Sequence, residues 1–426
     1  MPTLRLLLDW SLYKLVLLLA APLIPLRLVW RGRRERGYLE HWAERLGRGP
    51  LPASGAVWVH AVSVGEMRAA QPLLDALRTA HPGLPILLTC MTPTGRATAE
   101  ALYGNFARIV YLPYDYAWLM RRFLRCARPR VGILMETELW PNLIHAAARQ
   151  QVPLVLANAR LSERSARGYA RLPALTRACL SRIALVAAQT EADASRLLKL
   201  GAASVQVTGN LKFDIAPPAE QLARGAAWRA QWGSRPVLLA ASTREGEEAP
   251  LLRAFAKAAP ADVLLVLVPR HPQRFDEVAR LIESARLRYQ RRSALDGEPL
   301  RPETRVLLGD SLGELFAYYA ACDVTFVGGS LVPLGGQNLI EAASVGRAVL
   351  VGPHTFNFAQ ATQDAIEAGA AMRVDDAAAC LAAGVRLLRD EAARARMGEA
   401  GLAFAARHRG AARRLADLLA PWLGGA

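Results

Sequence analysis

Past about residue 55 the chain alternates short, wholly apolar runs with longer segments whose apolar residues recur at helical spacing. That alternation predicts strands joined by crossover helices in parallel sheets. In the first half the runs are 57–61, 86–90, 131–135, 154–157, 185–188 and 205–208, each followed by a polar or glycine-bearing turn. A second set follows the polar stretch around Pro217–Gly233, at 237–241, 263–268, 306–308, 324–327, 348–351 and 372–374. Proline and glycine in that stretch mark it as the linker. The expectation is an α/β protein with two Rossmann-like, doubly wound domains facing a central cleft, ligands sitting at the carboxyl ends of the strands.

The N-terminus breaks the pattern. A mostly apolar stretch runs from Leu12 to Trp30, interrupted by Lys14 and Arg27 and followed by Arg31, Arg33, Arg34 and Arg36. It is about as long as a bilayer core is thick, with charges near its ends where long side chains snorkel, and so reads as a membrane-anchor helix. The positive charge follows the apolar run and no small-residue cleavage site stands near it, which argues against a cleaved signal peptide. The arginines place the remainder on the cytoplasmic face, an inner-membrane location. An amphipathic helix lying on the membrane, or packed on its own domain, is the other reading. The divisions expected are 1–36 for the anchor and basic flank, 37–220 for an N-terminal acceptor domain, 221–405 for a C-terminal donor domain and 406–426 for a helical tail.

Composition narrows the partners. A formal charge of +16 invites nucleic acid, but the cations are arginines dispersed along the chain, with lysine only at 14, 199, 212 and 257. No nucleic-acid motif accompanies them, so lipid headgroups and phosphorylated substrates fit better. Five well-separated cysteines with no C-x-x-C argue against a disulfide framework or zinc site, and for a reducing compartment. No G-x-G-x-x-G, G-x-x-x-x-G-K, H-E-x-x-H or D-x-D is present, so neither a cofactor nor a metal is expected.

Candidate chemistry sits after the strands. Pro269 and Arg270 close the 263–268 run and carry a planar cation suited to phosphate. In Gly309–Leu315, Asp310 or Ser311 is placed to cap a helix reaching about Ala321, with Glu314 in its first turn and Gly313 permitting close backbone approach. Gly328, Gly329 and Ser330 follow the 324–327 run, and a loop through Gly335 and Gln337 opens a helix at Asn338 that carries Glu341. Such a loop leaves N–H groups free for an anion, and Glu341 shares a face with Asn338. In the first half, Glu66 begins a helix through about Leu77, Glu136 and Glu138 follow Met135, and Asn210 and Lys212 follow Thr208. Each has a purely structural reading as a cap or surface charge; their convergence from three strand ends is what a sugar-transfer site requires.

These residues carry a resemblance. Val-Ser-Val-Gly-Glu at 62–66, Glu-Thr-Glu-Leu-Trp-Pro-Asn at 136–142, Gly-Asn-Leu-Lys-Phe-Asp at 209–214, and Phe-Val-Gly-Gly-Ser, Gly-Gly-Gln-Asn-Leu-Ile-Glu and Gly-Pro-His-Thr-Phe-Asn-Phe between Phe326 and Phe358 resemble the Kdo transferases of lipopolysaccharide synthesis. The match runs nearly the whole chain. It implies a GT-B fold and inverting transfer of 3-deoxy-D-manno-oct-2-ulosonic acid (Kdo) from CMP-Kdo to a lipid A precursor (lipid IVA). By that resemblance Glu66 is the general base, and Glu136 and Lys212 stabilise the transition state. CMP contacts fall to Pro269, Arg270, Leu312, Gly313, Glu314, Asn338, Leu339, Ile340 and Glu341. Only Gln337 and Ile340 stand where the family tolerates change. The rival readings are a nucleotide-sugar epimerase of the same fold and a non-catalytic, membrane-tethered nucleotide-binding module.

Overall fold

All fourteen strands among the described residues pair in parallel, seven to a sheet. The structure is a computed structural model that describes residues 4–33, 35–49, 54–214, 216–295 and 297–424; Arg34 of the basic cluster lies outside them. The chain divides into two compact units, one made of Met1–Asp214 with Gly410–Ala426 and the other of Ile215–Arg409.

The first unit contains β1 (Val57–His60), β2 (Ile86–Cys90), β3 (Ala107–Tyr111), β4 (Val131–Met135), β5 (Leu154–Ala159), β6 (Leu185–Ala188) and β7 (Val205–Val207). Their order in the sheet is β3-β2-β1-β4-β5-β6-β7. The second contains β8 (Val237–Thr243), β9 (Leu264–Pro269), β10 (Tyr289–Arg291), β11 (Val306–Leu308), β12 (Val324–Val327), β13 (Ala348–Val351) and β14 (Ala371–Arg373), ordered β10-β11-β9-β8-β12-β13-β14. Without the three-residue β10 the second sheet repeats the doubly wound order of the first six strands of the first sheet, with no counterpart of β7. The winding reverses between β1 and β4, and again between β8 and β12, which is where such sheets open a crevice at the strands' carboxyl ends.

Helices cover both sheet faces, so the central strands are apolar throughout instead of alternating. Strand pleating divides β1 between two cores: Val57 and Val59 join Leu73, Leu77 and Ile133, while Trp58 turns to Phe123, Leu134 and Leu156. Two strands, β3 and β10, were not predicted, and both are edges. An edge strand is paired on one side only and is blunted by charge, and Arg108 and Arg291 interrupt the apolar signal there.

The expected linker is instead a helix, Ala219–Trp232, within the second unit. Leu222, Gly225, Trp228 and Trp232 recur at helical spacing among its polar residues. Gly225 lets it lie against the helix Leu315–Ala321, because a Cβ there would come within 2.4 Å of the Ala317 carbonyl oxygen. The expected tail is likewise not a separate element. Helix Ala411–Leu423 returns to the first unit, where Leu415, Leu419 and Leu423 pack in the core beside Leu73 and Leu77. The units divide after Asp214 and Arg409 rather than after 220 and 405.

The apolar N-terminal stretch is two helices, α1 (Leu4–Ala20) and α2 (Leu23–Gly32), separated by Ala21 and Pro22. Among the described residues no single helix is long and apolar enough to cross a membrane, and α1 and α2 meet that test only as a pair bent by 46°.

Asp214 closes the junction by accepting N–H bonds from Gly410 (2.8 Å) and Ala412 (2.6 Å) at the start of the returning helix. Asp214→Ala is expected to lower stability by about 1–2 kcal/mol, the usual loss for a cap. Urea denaturation followed by tryptophan fluorescence measures this, and an unchanged midpoint would mean the cap does not hold the helix.

Candidate functional site

In the first unit the loop after β1 and the loop after β4 flank the reversal point, and each delivers a carboxylate. Ser63 caps the helix Val64–Ala69: its hydroxyl accepts from the Glu66 N–H (3.3 Å) and donates to Glu66 Oε1 (2.8 Å). The Val62 N–H donates to Oε2 (2.8 Å). The carboxylate is thus bent back over the strand end, leaving Glu66 only 8% exposed. Burial pushes its pKa up to about 7, against the pull of the bonds from Val62 and Ser63, and the charges of Glu136 and Glu138 add to the rise. The predicted helix to Leu77 is two pieces, Val64–Ala69 and Gln71–Ala80, with Pro72 in the first turn of the second.

Glu136 sits directly after β4 with φ +56°, a left-handed conformation that costs a non-glycine residue about 1–3 kcal/mol where the surroundings impose it. Its Oε1 lies 3.2 Å from Lys212 Nζ. Lys212 is carried by the turn Leu211–Phe213, held by Asn158 Oδ1 accepting from the Leu211 N–H (2.9 Å) and Asn210 Oδ1 accepting from the Lys212 N–H (3.0 Å). Glu138 accepts from the Trp140 indole (3.0 Å), and burial raises its pKa. The structure therefore brings Glu66, Glu136, Glu138 and Lys212 together. Asn158 was not anticipated; the one polar residue inside an apolar run was its signal.

In the second unit Pro269 ends β9, and the Arg270 N–H donates to the Thr243 carbonyl (3.0 Å) at the end of the neighbouring strand β8. Asn338 caps the helix Leu339–Ser344, accepting from the Ile340 N–H (3.1 Å) and donating to Glu341 Oε1 (3.3 Å). Burial pushes the Glu341 pKa up to about 7, partly offset by Asn338 and by the positive charge of Arg270, so these three residues act on one another. Leu339 and Ile340 are buried core side chains, able to meet a ligand only through their backbone.

Leu312 is 72% exposed, and Gly313 has φ +76° with open space around it. Glu314 is tied to Arg224 (2.8 Å) and Arg292 (3.4 Å). Neither predicted cap holds: Asp310 accepts from the Ser293 N–H and hydroxyl, Ser311 pairs with the Tyr318 hydroxyl, and the helix begins later, at Leu315.

The glycine loop departs furthest from expectation. Its N–H groups at Gly329 (2.7 Å), Ser330 (3.0 Å) and Leu331 (2.9 Å) are not free; all three donate to the carboxylate of Glu247, as does the Arg244 N–H (2.8 Å). The protein's own buried anion fills the nest and binds the loop after β8 to the loop after β12. Sequence reasoning missed Glu247, although its place four residues before the helically spaced Leu251, Leu252 and Phe255, just past a strand, was visible.

Residues 40–215 match the family model described as 3-deoxy-D-manno-octulosonic-acid transferase (kdotransferase). The chain is 50% identical to the 3-deoxy-D-manno-octulosonic acid transferase of Bordetella pertussis, over 97% of this chain and 99% of that protein. It is 38% identical to the corresponding transferase of Haemophilus influenzae, over 96% and 98%. The chain belongs to the Kdo transferase family. A glycosyltransferase structure from Rickettsia africae, 13% identical, is similar over 88% of this chain and 100% of that one with a TM-score of 0.56, a likeness of fold alone. As a Kdo transferase the protein is a glycosyltransferase, which displaces the epimerase and non-catalytic readings. The matched residues of the family model include Glu66, Glu136 and Lys212, all in the first unit.

The burial of Glu66 has a stability cost with a defined sign. Its folded-state pKa of about 7 exceeds the ordinary 4.5, so between those limits the folded transferase keeps a proton that the unfolded chain has lost. Stability contributed by that proton is present below the lower limit and is lost as pH rises through 7. Glu66→Gln removes the penalty and is expected to raise stability at pH 8 by up to roughly 3 kcal/mol. In urea titrations the gap should close below pH 5; a gap of equal size at both pH values would contradict the assignment.

Proposed function

We propose that the protein transfers Kdo from CMP-Kdo to a tetraacylated lipid A precursor, lipid IVA, at the cytoplasmic face of the inner membrane, with Glu66 as general base. The observation that carries the base assignment is a glutamate held by its own loop at a strand end with a pKa of about 7. A base of that strength is half ionised at neutral pH, yet strong enough to take a hydroxyl proton as the bond to the sugar forms. The acceptor oxygen attacks the anomeric carbon on the face opposite the departing CMP, and the configuration inverts by the same opposite-face logic as in inverting glycosidases.

Lys212, paired with Glu136, supplies a cation near the reacting atoms, and Glu136 keeps it from being a free charge before substrate arrives. Lys212 then offsets negative charge as it develops. On the donor side Arg270 meets the single phosphate of CMP, and Asn338 with Glu341 offers hydrogen-bonding groups for ribose. Backbone groups at Pro269, Leu312, Gly313, Glu314, Leu339 and Ile340 complete the CMP contacts. One phosphate carries less charge than a diphosphate, so the reading calls for no metal. Membrane association is assigned to α1 and α2, which expose Leu4, Leu8, Leu18, Leu19, Leu23 and Leu26. Four buried cysteines and one exposed, none of them paired, agree with a cytoplasmic setting.

Glu66→Ala is expected to retain CMP-Kdo binding by calorimetry while transfer falls about 10²–10⁴-fold. Transfer is followed by mass spectrometry of the lipid product. For the unaltered enzyme kcat/KM should rise with pH up to about 7 and then level off. Retained transfer in the alanine variant would remove Glu66 from the mechanism.

A further inference from the structure

Helix α1 presents its faces the opposite way from a helix of a water-soluble domain. The buried residue is Asp9, whose carboxylate accepts the Ala174 and Leu175 N–H groups, both at 3.1 Å, at the start of the helix Pro173–Leu180. Tyr13 donates to Asp115 (2.6 Å), a buried carboxylate that also accepts from the Asn142 and Leu143 N–H groups, and the Tyr116 hydroxyl donates to the Leu17 carbonyl (2.8 Å). Most of the outward residues are leucines, Leu4 being 74% exposed, Leu8 61%, Leu18 68% and Leu19 65%, with Arg5, Ser11 and Lys14 among them. Turning α1 to cross a bilayer would strip Asp9 of both its backbone partners and Asp115 of the Tyr13 hydroxyl, a heavy cost for buried polar groups. The docked helix presents its apolar face to the membrane from one side.

Beside that face lies a cavity of about 640 Å³ whose walls combine Leu7 and Trp10 with Lys14, Arg121, Arg149 and Arg182. Among the described residues none of these four cations pairs with a carboxylate. Their charges converge: after burial, Arg182, Arg149, Lys14 and Arg121 are what hold His145, on the cavity wall, below its ordinary pKa. Arg121 and Arg149 also line an adjoining hollow with Trp118, Arg122 and Arg125, so the positive surface continues along the unit with an exposed indole in it. Arginines without a carboxylate partner, next to apolar side chains and a tryptophan, fit a phosphodiester at the boundary between headgroups and acyl chains.

We propose that this cavity binds the headgroup phosphate of an anionic bilayer phospholipid while α1 lies in the plane of the membrane, its leucines among the acyl chains. The proposal rests on the membrane association assigned above and adds to it a headgroup site and an orientation. In flotation assays the full chain is mixed with vesicles of phosphatidylcholine alone or with 30 mol% phosphatidylglycerol. The anionic vesicles should bind more tightly, and Arg121→Gln/Arg149→Gln should lower that affinity about 25-fold, at roughly a factor of five for each surface cation removed. A charge-matched control on exposed arginines of the other unit, Arg280→Gln/Arg288→Gln, should bind like the unaltered protein. Equal loss in both variants would mean diffuse attraction, and equal binding to both vesicle types would mean no headgroup site; either overturns the proposal. Failure to bind any vesicle would overturn membrane association itself. Transfer to acceptor dispersed in non-ionic detergent should be unchanged in the Arg121/Arg149 variant, and a raised KM there would assign the cavity to the acceptor instead.

Discussion

A parallel sheet covered by helices on both faces has its side chains committed to packing, and only the loops at the strands' carboxyl ends remain for chemistry. Both units obey that constraint, and both place their polar groups where the winding reverses. Glu66 and Glu136 leave neighbouring strands β1 and β4 in one unit; Glu247 and the glycine loop leave β8 and β12 in the other. The reversal is what separates two successive loops enough for a side chain to stand between them.

Buried carboxylates do much of the organising in a chain whose net charge is strongly positive. Glu247 accepts four backbone N–H groups, Asp115 two with a tyrosine hydroxyl, and Glu66 one with a serine hydroxyl. Burial raises the pKa of all three against the pull of their donors, Asp115 to about 6. At Glu66 the charges of Glu136 and Glu138 add to that rise and carry it to about 7, near the balance between its two protonation states.

The apolar runs made the ten interior strands legible, because a strand buried on both faces can be nothing but apolar, and the short edges β7 and β14 were found by the same apolar signal although they are partly exposed. What escaped was structure whose signal is mixed or nonlocal. The edges β3 and β10 contain arginine, and the helix Ala219–Trp232 hides its stripe among polar residues and a glycine chosen for close packing. That α1 turns Asp9 inward depends on a helix 165 residues away and leaves no local trace. The motif residues of the site were legible by position, and Glu66, Glu136 and Lys212 do meet; the filling of the glycine loop by Glu247 was not, because spacing shows which N–H groups a loop offers but not which distant carboxylate takes them.

The returning C-terminal helix gives the protein a history on the ribosome. The second unit is an insertion between Asp214 and Gly410, so the apolar groove of the first unit around Leu73 and Leu77 has no cover until residues 415–423 emerge. At typical rates of synthesis about 200 further residues take roughly 10–40 s. For that interval the nascent chain carries an open apolar surface, and its first unit is a natural client for chaperones until the last few turns are made.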